Sequence, residues 1–205
     1  MGRRPSERPT AILDAAIDAF AERGFDGATW RGIAERAGVT QSLLTYHFGD
    51  KERLWREAYR AARARKLSAG PPPEDAPWLT DGAAPERAEV ERWLRGYCES
   101  FGRHPQLARM QVMEGERGSE RTRWAAAESL RDDYQRLADG IERLQALGWF
   151  EGVTAHQLIY MLVGAAQYAF LVPGQVENLT RRHAGTDAYI EAHAEAVTKL
   201  FMRFA

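Results

Sequence analysis

Polar side chains that suit nucleic-acid bases and phosphates are concentrated between Thr29 and Lys51. In the central segment, Gln41–Phe48, the four-residue spacing of Leu44 and Phe48 predicts a short helix with one buried face. The other face carries an amide, two hydroxyls, a phenol and an imidazole. Glutamine can pair with the edge of adenine, and serine or threonine can hydrogen-bond to several bases. This segment therefore predicts a helix that reads base pairs in a major groove.

Phosphate contacts are predicted close to that helix. Tyr46, His47 and Lys51 have the reach to contact phosphates, and such contacts set the register of a protein on DNA without reading its sequence. Thr29 precedes another short helix, whose free N–H groups and positive dipole end suit a further phosphate. The candidate DNA-binding residues are Thr29, Arg31, Thr40, Gln41, Ser42, Thr45, Tyr46, His47 and Lys51.

Three predicted helices position these side chains: Arg8–Arg23, Trp30–Ala37 and Gln41–Phe48. A four-residue turn that contains Gly38 joins the last two, and these are the proportions of a helix-turn-helix motif. Taken alone, such a turn also fits an ordinary pair of core helices. The polar outward face of the helix that follows the turn favours DNA binding.

Helical periodicity continues through the rest of the chain. Apolar residues recur at three- and four-residue steps, and alternating strand patterns are almost absent. The fold class is therefore predicted to be all-α, with about nine helices. Beyond the third, helices are expected over residues 51–69, 86–103, from 105 onward, 119–146, 155–172 and from 187 onward.

Residues 70–85 hold five prolines, which cannot lie inside helices, and this stretch is the clearest linker in the chain. Trp78 and Leu79 within it are apolar, so we expect a loop between packed helices rather than a free tether. The predicted organisation is a helix-turn-helix domain over residues 1–50, joined through the fourth helix (51–69) to a helical bundle over residues 70–205.

Charge is distributed unevenly, although the 28 basic and 29 acidic residues nearly cancel. Residues 1–67 hold 13 basic against 9 acidic residues, a net charge of +4, whereas residues 68–205 hold 15 against 20, a net charge of −5. The positive N-terminal third agrees with an anionic partner.

Several features predict a cytoplasmic protein that does not associate with membranes. The single cysteine, Cys98, excludes an intrachain disulfide and fits a reducing compartment. The longest apolar run, Leu158–Val172, has 15 residues. A bilayer span needs about 20. The first ten residues lack the apolar core of a signal peptide.

A set of residues at fixed spacing covers about residues 8–56. It comprises Ile12, Leu13, Ala15, Ala16, Phe20, Gly24, Phe25, Thr29, Ile33, Ala34, Ala37, Gly38, Val39, Thr40, Leu44, Tyr46, His47, Phe48 and Lys51. This set resembles the DNA-binding region of the TetR family of bacterial transcriptional repressors, and so many positions make the match far more specific than a lone motif.

Two positions depart from the family pattern. Thr45 stands where the family usually has tyrosine, which affects a base or phosphate contact. Gly32 stands where an acidic residue usually completes a capping box, and a glycine inside a helix lowers its stability by about 0.5–1 kcal/mol.

The resemblance implies a homodimer of all-α subunits whose N-terminal three-helix domain binds a palindromic operator in double-stranded DNA. The domain over residues 70–205 would then hold an inducer pocket and the dimer interface. Carried over by position, eight of the nine candidate residues named above, all except Arg31, would face DNA. The implied function is a ligand-responsive regulator, a repressor that a small-molecule inducer releases from its operator, with no cofactor.

An inducer pocket would draw on aromatic and thioether side chains, although most such residues in a helix bundle are simply core. Arg109 or Arg117 would suit an anionic inducer, and Glu114 a cationic one; Gln111 and Gln167 are further polar candidates. The candidate pocket residues are Trp93, Tyr97, Phe101, Met110, Met113, Glu114, Tyr134, Gln167 and Tyr168.

The predicted eighth and ninth helices, 155–172 and from 187 onward, carry apolar stripes. The resemblance makes these helices the dimer interface, and packing inside one subunit is the alternative. The interface would hold two recognition helices about 34–36 Å apart, the spacing of successive major grooves. The candidate interface residues are Leu158, Leu162, Ala165, Ala169, Ile190, Ala194, Val197 and Phe201.

Two other classes of function stay open on the residues alone. An enzyme would need a nucleophile with a base, or clustered metal ligands, but the five histidines are scattered and Cys98 lies on an apolar helical face typical of an inert thiol. We therefore expect no catalytic or metal site. A helical adaptor that binds only protein is the second alternative, and a steep salt dependence of DNA binding distinguishes a repressor from it.

Overall fold

The computed structural model describes residues 8–71, 76–79, 84–115 and 118–204, and every regular element within these ranges is helical. The all-α prediction is confirmed. The α-helices are α1 Arg8–Gly27, α2 Trp30–Ala37, α3 Gln41–Phe48, α4 Lys51–Ala69, α5 Arg87–Arg103, α6 Pro105–Gly115, α7 Glu120–Ala125, α8 Arg131–Ala146, α9 Ala155–Leu171, α10 Pro173–Thr180 and α11 Asp187–Phe201.

The observed helix ends lie close to the predicted ones because each end carries a local signal. The side-chain oxygens of threonines accept hydrogen bonds from the first turns of α2, α3, α9 and α11, as expected for N-caps. Gly24 interrupts α1 at φ 68° and ψ 179°, a conformation that favours glycine. Beyond this break, Phe25 stacks back on Phe20 with their ring centroids 6.1 Å apart.

The chain divides into two compact units, Met1–Arg65 with Gln106–Thr122 and Lys66–Pro105 with Arg123–Ala205. This division differs from the predicted domain boundary, because residues 106–122 pack with the N-terminal helices. The amide of Gln111 donates to the hydroxyl of Tyr59 at 3.0 Å, and Met113 lies against Gly24. A helix that is distant in the sequence thus completes the first unit.

The core of the first unit joins α1 to α4 and fixes the two short helices between them. Ile12 and Phe20 of α1, Ile33 of α2, Leu44 of α3 and Trp55 of α4 are all fully buried. Burial of side chains of this size stabilises a fold by roughly 1.5–3 kcal/mol each. Helix α3 is therefore attached to this core through its buried residues, Leu44 and Phe48.

The second unit is built around α5, which packs against both α9 and α11. Gly102 permits this approach, since a Cβ atom there would lie 2.7 Å from Ile190 and 2.9 Å from Phe170. Trp78 of the proline-rich segment is buried against Trp93, as predicted for a packed loop. Residues 72–75 and 80–83, with Pro72 and Pro73, lie outside the described residues.

One stretch of the predicted seventh helix differs from its prediction. The regular spacing predicted an unbroken α-helix over 119–146 with Ala127 facing inward. Instead, Ala126–Leu130 forms a π-helical turn, in which Ala127 is exposed and Ser129 is buried. A π turn holds an extra residue, so it shifts the apolar face of the helix.

A short helix, α10, follows Pro173 and was not predicted. Proline ends α9 as expected, yet its fixed φ also suits the first position of a new helix. Across the described ranges no single helix is long and apolar enough to cross a membrane. Within the same ranges, α9 and α10 meet that test of length and composition when taken together, although their axes are bent by 75°.

Candidate nucleic-acid interface

The turn between α2 and α3 has the backbone that its glycine predicts. Gly38 adopts the left-handed conformation at φ 67° and ψ 36°, and its N–H donates to the carbonyl of Glu35 at 3.1 Å. The N–H of Val39 donates to the carbonyl of Ala34 at 3.0 Å, which closes the end of α2. This tight turn directs α3 away from α2 within three residues.

Helix α3 buries Leu44 and Phe48 and turns its polar side chains outward. Gln41, Ser42 and Tyr46 are exposed, and Tyr46 retains 82% of its accessible surface. The helix therefore presents an amide, a hydroxyl and a phenol at positions where a nucleic acid can reach them.

The two capping threonines use only part of their hydrogen-bonding capacity. The hydroxyl of Thr29 accepts from the N–H of Gly32 at 3.0 Å, and that of Thr40 accepts from the N–H of Leu43 at 3.2 Å. Each hydroxyl keeps its own proton for another acceptor. Because both lie at a helix N-terminus, where backbone N–H groups and the dipole also favour negative charge, both are suited to phosphate oxygens.

The cationic candidates differ in how freely they reach solvent. The Nζ of Lys51 lies 4.5 Å from the centroid of the Phe25 ring. Burial lowers the pKa of Lys51; the negative charge of Asp26 acts to raise this pKa, and the positive charge of Arg121 lowers it further. Arg31 is exposed and pairs with Glu35 at 2.7 Å. His47 is partly exposed beside Tyr46, with ring centroids 5.3 Å apart.

Thr45 is exposed, but its hydroxyl is already hydrogen-bonded within the motif. It accepts from the indole N–H of Trp30 at 3.2 Å and donates to the carbonyl of Gln41 at 3.0 Å. Trp30 was not among the predicted site residues. The available signal was a large aromatic residue at the first position of a short helix, directly after the predicted cap Thr29.

Three predicted pocket residues, Met110, Met113 and Glu114, belong to the first unit, and their surroundings there are filled. Met110 is fully buried, and Met113 contacts Gly24. The Glu114 carboxylate accepts from Arg121 and from Ser119, each at 2.8 Å. Because Arg121 already pairs with the Glu114 carboxylate, this arrangement does not favour a cationic inducer there, and the role of Glu114 in a pocket stays a prediction. Arg117 lies outside the described residues.

An aromatic ladder runs along α5 in the second unit, formed by Trp93, Tyr97 and Phe101. The rings of Trp93 and Tyr97 stack at 4.9 Å, and those of Tyr97 and Phe101 meet edge-on at 5.1 Å. The Nζ of Lys66 lies 3.9 Å from the centroid of Phe101 and 4.8 Å from that of Tyr97. The ladder thus pairs an apolar wall with a cation that was not predicted there.

The remaining predicted pocket residues lie elsewhere in the second unit. The hydroxyl of Tyr134 is hydrogen-bonded to Nδ1 of His156 at 2.7 Å, and Gln167 is partly exposed on α9. Tyr168 retains 60% of its surface, which suits contact with another protein better than an enclosed ligand site. A separate groove of about 520 Å³ lies along α11 beside Tyr189 and His193, and no predicted pocket residue lines it.

Most of the predicted interface residues are buried by packing inside one subunit, and their part in a dimer interface stays a prediction. Leu158, Leu162, Ile190, Ala194, Val197 and Phe201 are buried, while Ala165 and Ala169 are partly exposed. The regular stripes of α9 and α11 therefore face the core around α5, which is the alternative left open by the sequence.

The same two helices also carry apolar residues on their opposite sides, here called the outer apolar face. Large exposed apolar side chains are characteristic of interaction surfaces. The outer apolar face comprises Tyr160, Met161, Gly164 and Tyr168 of α9 and Ala192, Ala196 and Leu200 of α11.

Within residues 8–71, 76–79, 84–115 and 118–204, no group of three or more His, Cys, Asp or Glu side chains is arranged to hold a metal ion. Cys98 is fully buried in α5, and burial raises the pKa of its thiol to about 12. Such a thiol is protonated at neutral pH and is a poor nucleophile.

The Cys98 thiol is expected to resist a thiol-specific reagent at about pH 8 while the protein is folded, and to react at once in denaturant. Because its folded pKa is raised from 9.0 to about 12, its contribution to stability is present below pH 9 and declines as the pH rises toward 12. Rapid labelling of the native protein would contradict the burial of this thiol.

Comparison with known proteins adds to this geometry. Residues 12–58 match the family model described as bacterial regulatory proteins, tetR family. The HTH-type transcriptional regulator RutR of Escherichia coli K12 is 30% identical over 206 residues, covering 98% of this chain and 91% of RutR. The HTH-type transcriptional repressor AcnR of Corynebacterium glutamicum is 39% identical over 64 residues, 31% of this chain and 34% of AcnR.

Solved structures agree at the level of the fold. A TetR-like transcriptional regulator from Rhodococcus sp. RHA1 superposes with a TM-score of 0.60 at 23% identity, covering 98% of this chain and 97% of that one. The helix-turn-helix pattern, the shared fold and the identity with RutR over nearly the full length of both chains lead to one conclusion: this chain belongs to the TetR family of bacterial regulatory proteins.

Proposed function

We propose that the protein is a homodimeric transcriptional repressor, active in the cytoplasm, that binds a palindromic operator and releases it when a small molecule binds. The observation that carries this proposal is helix α3, which exposes Gln41, Ser42 and Tyr46 and buries Leu44 and Phe48. No catalytic or cofactor role is proposed.

The DNA contacts divide by chemistry into two classes. Gln41 and Ser42 are proposed to read base edges, since amides and hydroxyls match the hydrogen-bonding groups of the major groove. Thr29, Thr40 and Lys51 are proposed to contact phosphates, together with Arg31, Tyr46 and His47, and these contacts supply affinity for any sequence.

Small-molecule binding is proposed at the aromatic ladder of α5. Its stacked rings offer an apolar wall, and Lys66 supplies a nearby positive charge. An inducer acts by binding more tightly to the state of the dimer that does not fit the operator. Operator affinity can then fall by as much as the ratio of the inducer's affinities for the two states of the dimer.

Selection of duplexes from a randomised DNA library with the full-length protein tests the proposal. A repressor of this kind should enrich a palindrome whose half-sites are centred about 10–10.5 base pairs apart, or a multiple of that spacing. Its affinity should also fall steeply between about 50 and 200 mM salt. A protein-only adaptor would enrich no sequence, and that result would reject the proposed function.

Substitutions at Lys51 and Gln41 are expected to affect different properties of binding, the salt dependence and the base preference, respectively. Lys51→Ala should weaken binding to all sequences alike and reduce the salt slope by about 2 for a dimer that loses two phosphate contacts. Gln41→Ala should leave the slope unchanged and relax the preference at one base pair of each half-site, a discrimination of about 1–3 kcal/mol. Both are measured by salt-titrated gel shifts on the selected operator and single-base variants.

Arg136→Ala serves as the matched control, because it removes one positive charge from an exposed residue of α8. It should change neither the salt slope nor the base preference. If Lys51→Ala and Gln41→Ala both leave operator binding unchanged, α3 and the start of α4 do not contact DNA.

A further inference from the structure

Trp30 and Thr45 form a side-chain contact between the first turn of α2 and the middle of α3. The indole Nε1 of Trp30 donates to Oγ1 of Thr45 at 3.2 Å, across fifteen residues of sequence. Trp30 is partly exposed, although indole is a large apolar group. The indole has a single N–H donor, and it donates that hydrogen bond to α3, the helix that is proposed to read bases.

The same contact limits what Thr45 can do on DNA. A threonine hydroxyl has one proton to donate, and that of Thr45 goes to the carbonyl of Gln41 at 3.0 Å. One of its acceptor positions is filled by the indole of Trp30. Thr45 therefore has no proton left for a base acceptor, which distinguishes it from Ser42 on the same exposed helix.

Helix α3 needs a third point of attachment because its buried contacts are few. Leu44 and Phe48 lie only about 40° apart around the helix axis, so they restrain its roll poorly, whereas Thr45 lies about 100° from Leu44. A roll of about 20° would move a side-chain atom at the helix surface by about 2 Å. A hydrogen bond to a base edge does not survive a displacement of that size.

We propose that Trp30 is a positioning residue for base recognition: through Thr45 it fixes the roll of α3, and so the placement of Gln41 and Ser42 against the major groove. Thr45 accordingly holds the helix and does not read a base. This inference rests on the proposed function, because it assigns a role within operator binding.

The test compares four variants of the full-length protein on the selected operator: Trp30→Phe, Thr45→Val, the double variant and Thr45→Ser. Trp30→Phe and Thr45→Val each remove one partner of the hydrogen bond; valine keeps the shape of threonine, and phenylalanine keeps an aromatic ring. Each should lower operator affinity about 5-fold, the equivalent of one neutral hydrogen bond, and flatten the base preference across the half-site. The double variant should lose no more than either single change, because both break the same contact.

Thr45→Ser retains the hydroxyl and should preserve both affinity and base preference. Affinity for non-specific DNA and the salt slope should stay unchanged in every variant, and the melting temperature should fall by no more than about 2–4 °C, the equivalent of one hydrogen bond. Trp149→Phe, in the second unit, is the matched control for loss of an indole and should be silent.

Three outcomes would overturn the inference. One is a Thr45→Val variant that alters preference at a single base pair while Trp30→Phe has no effect, which would make Thr45 a direct reader. Another is additive loss in the double variant. The third is a parallel fall in melting temperature and non-specific binding, which would indicate a purely structural contact. If the unsubstituted protein selects no operator at all, the proposed function fails instead.

Discussion

Replacing Arg121 by methionine should lower the free energy of unfolding by about 3 kcal/mol, since it leaves a buried carboxylate without its counterion. The Glu114 side chain is only 5% exposed and accepts from Nε of Arg121 at 2.8 Å. Arg121 is itself 16% exposed and also donates to Glu52 at 3.1 Å. This pair is far less exposed than the pair of Arg136 with Asp133, whose side chains are 57% and 35% exposed, so its loss is expected to cost more.

Arg121 also packs against an aromatic ring, which adds to the expected loss. Its guanidinium carbon lies 3.6 Å from the centroid of Phe25, at the end of α1. It thereby connects α6, α4 and the end of α1 within the first unit. Methionine keeps much of the side-chain volume, so the change removes the charge without opening a large cavity.

Thermal unfolding followed by circular dichroism measures the effect, with an expected fall in melting temperature of about 6–12 °C for a loss of about 3 kcal/mol. The double variant Glu114→Gln with Arg121→Met should recover most of the loss, because no buried charge is left unpaired. Arg136→Met breaks a pair in which Arg136 is 57% exposed, and it should cost less than about 0.5 kcal/mol. Equal effects of Arg121→Met and Arg136→Met would show that the Glu114 pair is solvated.

The second large effect is expected at Gly164, on the outer apolar face. Gly164→Glu should convert the protein from a dimer to a monomer of 23.1 kDa and lower operator affinity by about 10²-fold or more. A Cβ atom at Gly164 meets nothing within 4 Å inside the subunit, and glutamate is a better helix former than glycine. The subunit itself should therefore keep its stability.

The expected loss follows from the geometry of two linked half-sites. Met161 and Tyr168 lie three and four residues from Gly164, about one helical turn on either side, and are 56% and 60% exposed, so the position is central to an apolar strip. A charge buried there against a second copy would lack a partner, which opposes association. A monomer reads one half-site and loses the high effective concentration that linkage gives the second contact.

Light scattering after size exclusion gives the mass, and gel shifts on the selected palindrome give the affinity. Gly115→Glu, at an exposed glycine of α6 that also has nothing near its Cβ position, is the control and should remain dimeric. A Gly164→Glu protein that stays dimeric and binds normally would place the dimer interface somewhere other than the outer apolar face.

Local signals made much of the first unit predictable. The caps Thr29 and Thr40, the left-handed Gly38 and the break at Gly24 are encoded within a few residues of sequence, and the structure has each of them where the sequence indicates. The four-residue spacing of Leu44 and Phe48 was enough to predict which face of α3 is buried and which is exposed. Such features depend on hydrogen bonds and backbone preferences between near neighbours, so no tertiary information is needed to see them.

Periodicity was less reliable where a helix has more than one apolar side or an irregular turn. In α9, the regular stripe with Leu158 and Leu162 faces the core, whereas the less regular Tyr160, Met161 and Tyr168 face outward. An apolar stripe indicates that one face of a helix is buried. It does not indicate whether the same subunit or a second subunit buries that face. Similarly, the π turn that buries Ser129 shifts a helical face in a way that residue spacing does not reveal.

The sequence by itself determined the all-α class, the helix-turn-helix and the polar surface of α3, because these depend on contacts within about four residues or on a dense pattern of spaced positions. Only the tertiary structure decided which groups are already in use. It paired Glu114 with Arg121 and Thr45 with Trp30, and it placed Leu158 in the core and Tyr168 outside. The reason is physical. Whether a polar group is free to bind a ligand depends on which side chains, remote in the sequence, lie within hydrogen-bonding distance of it in the fold. Residue type and spacing along the chain do not predict those distances.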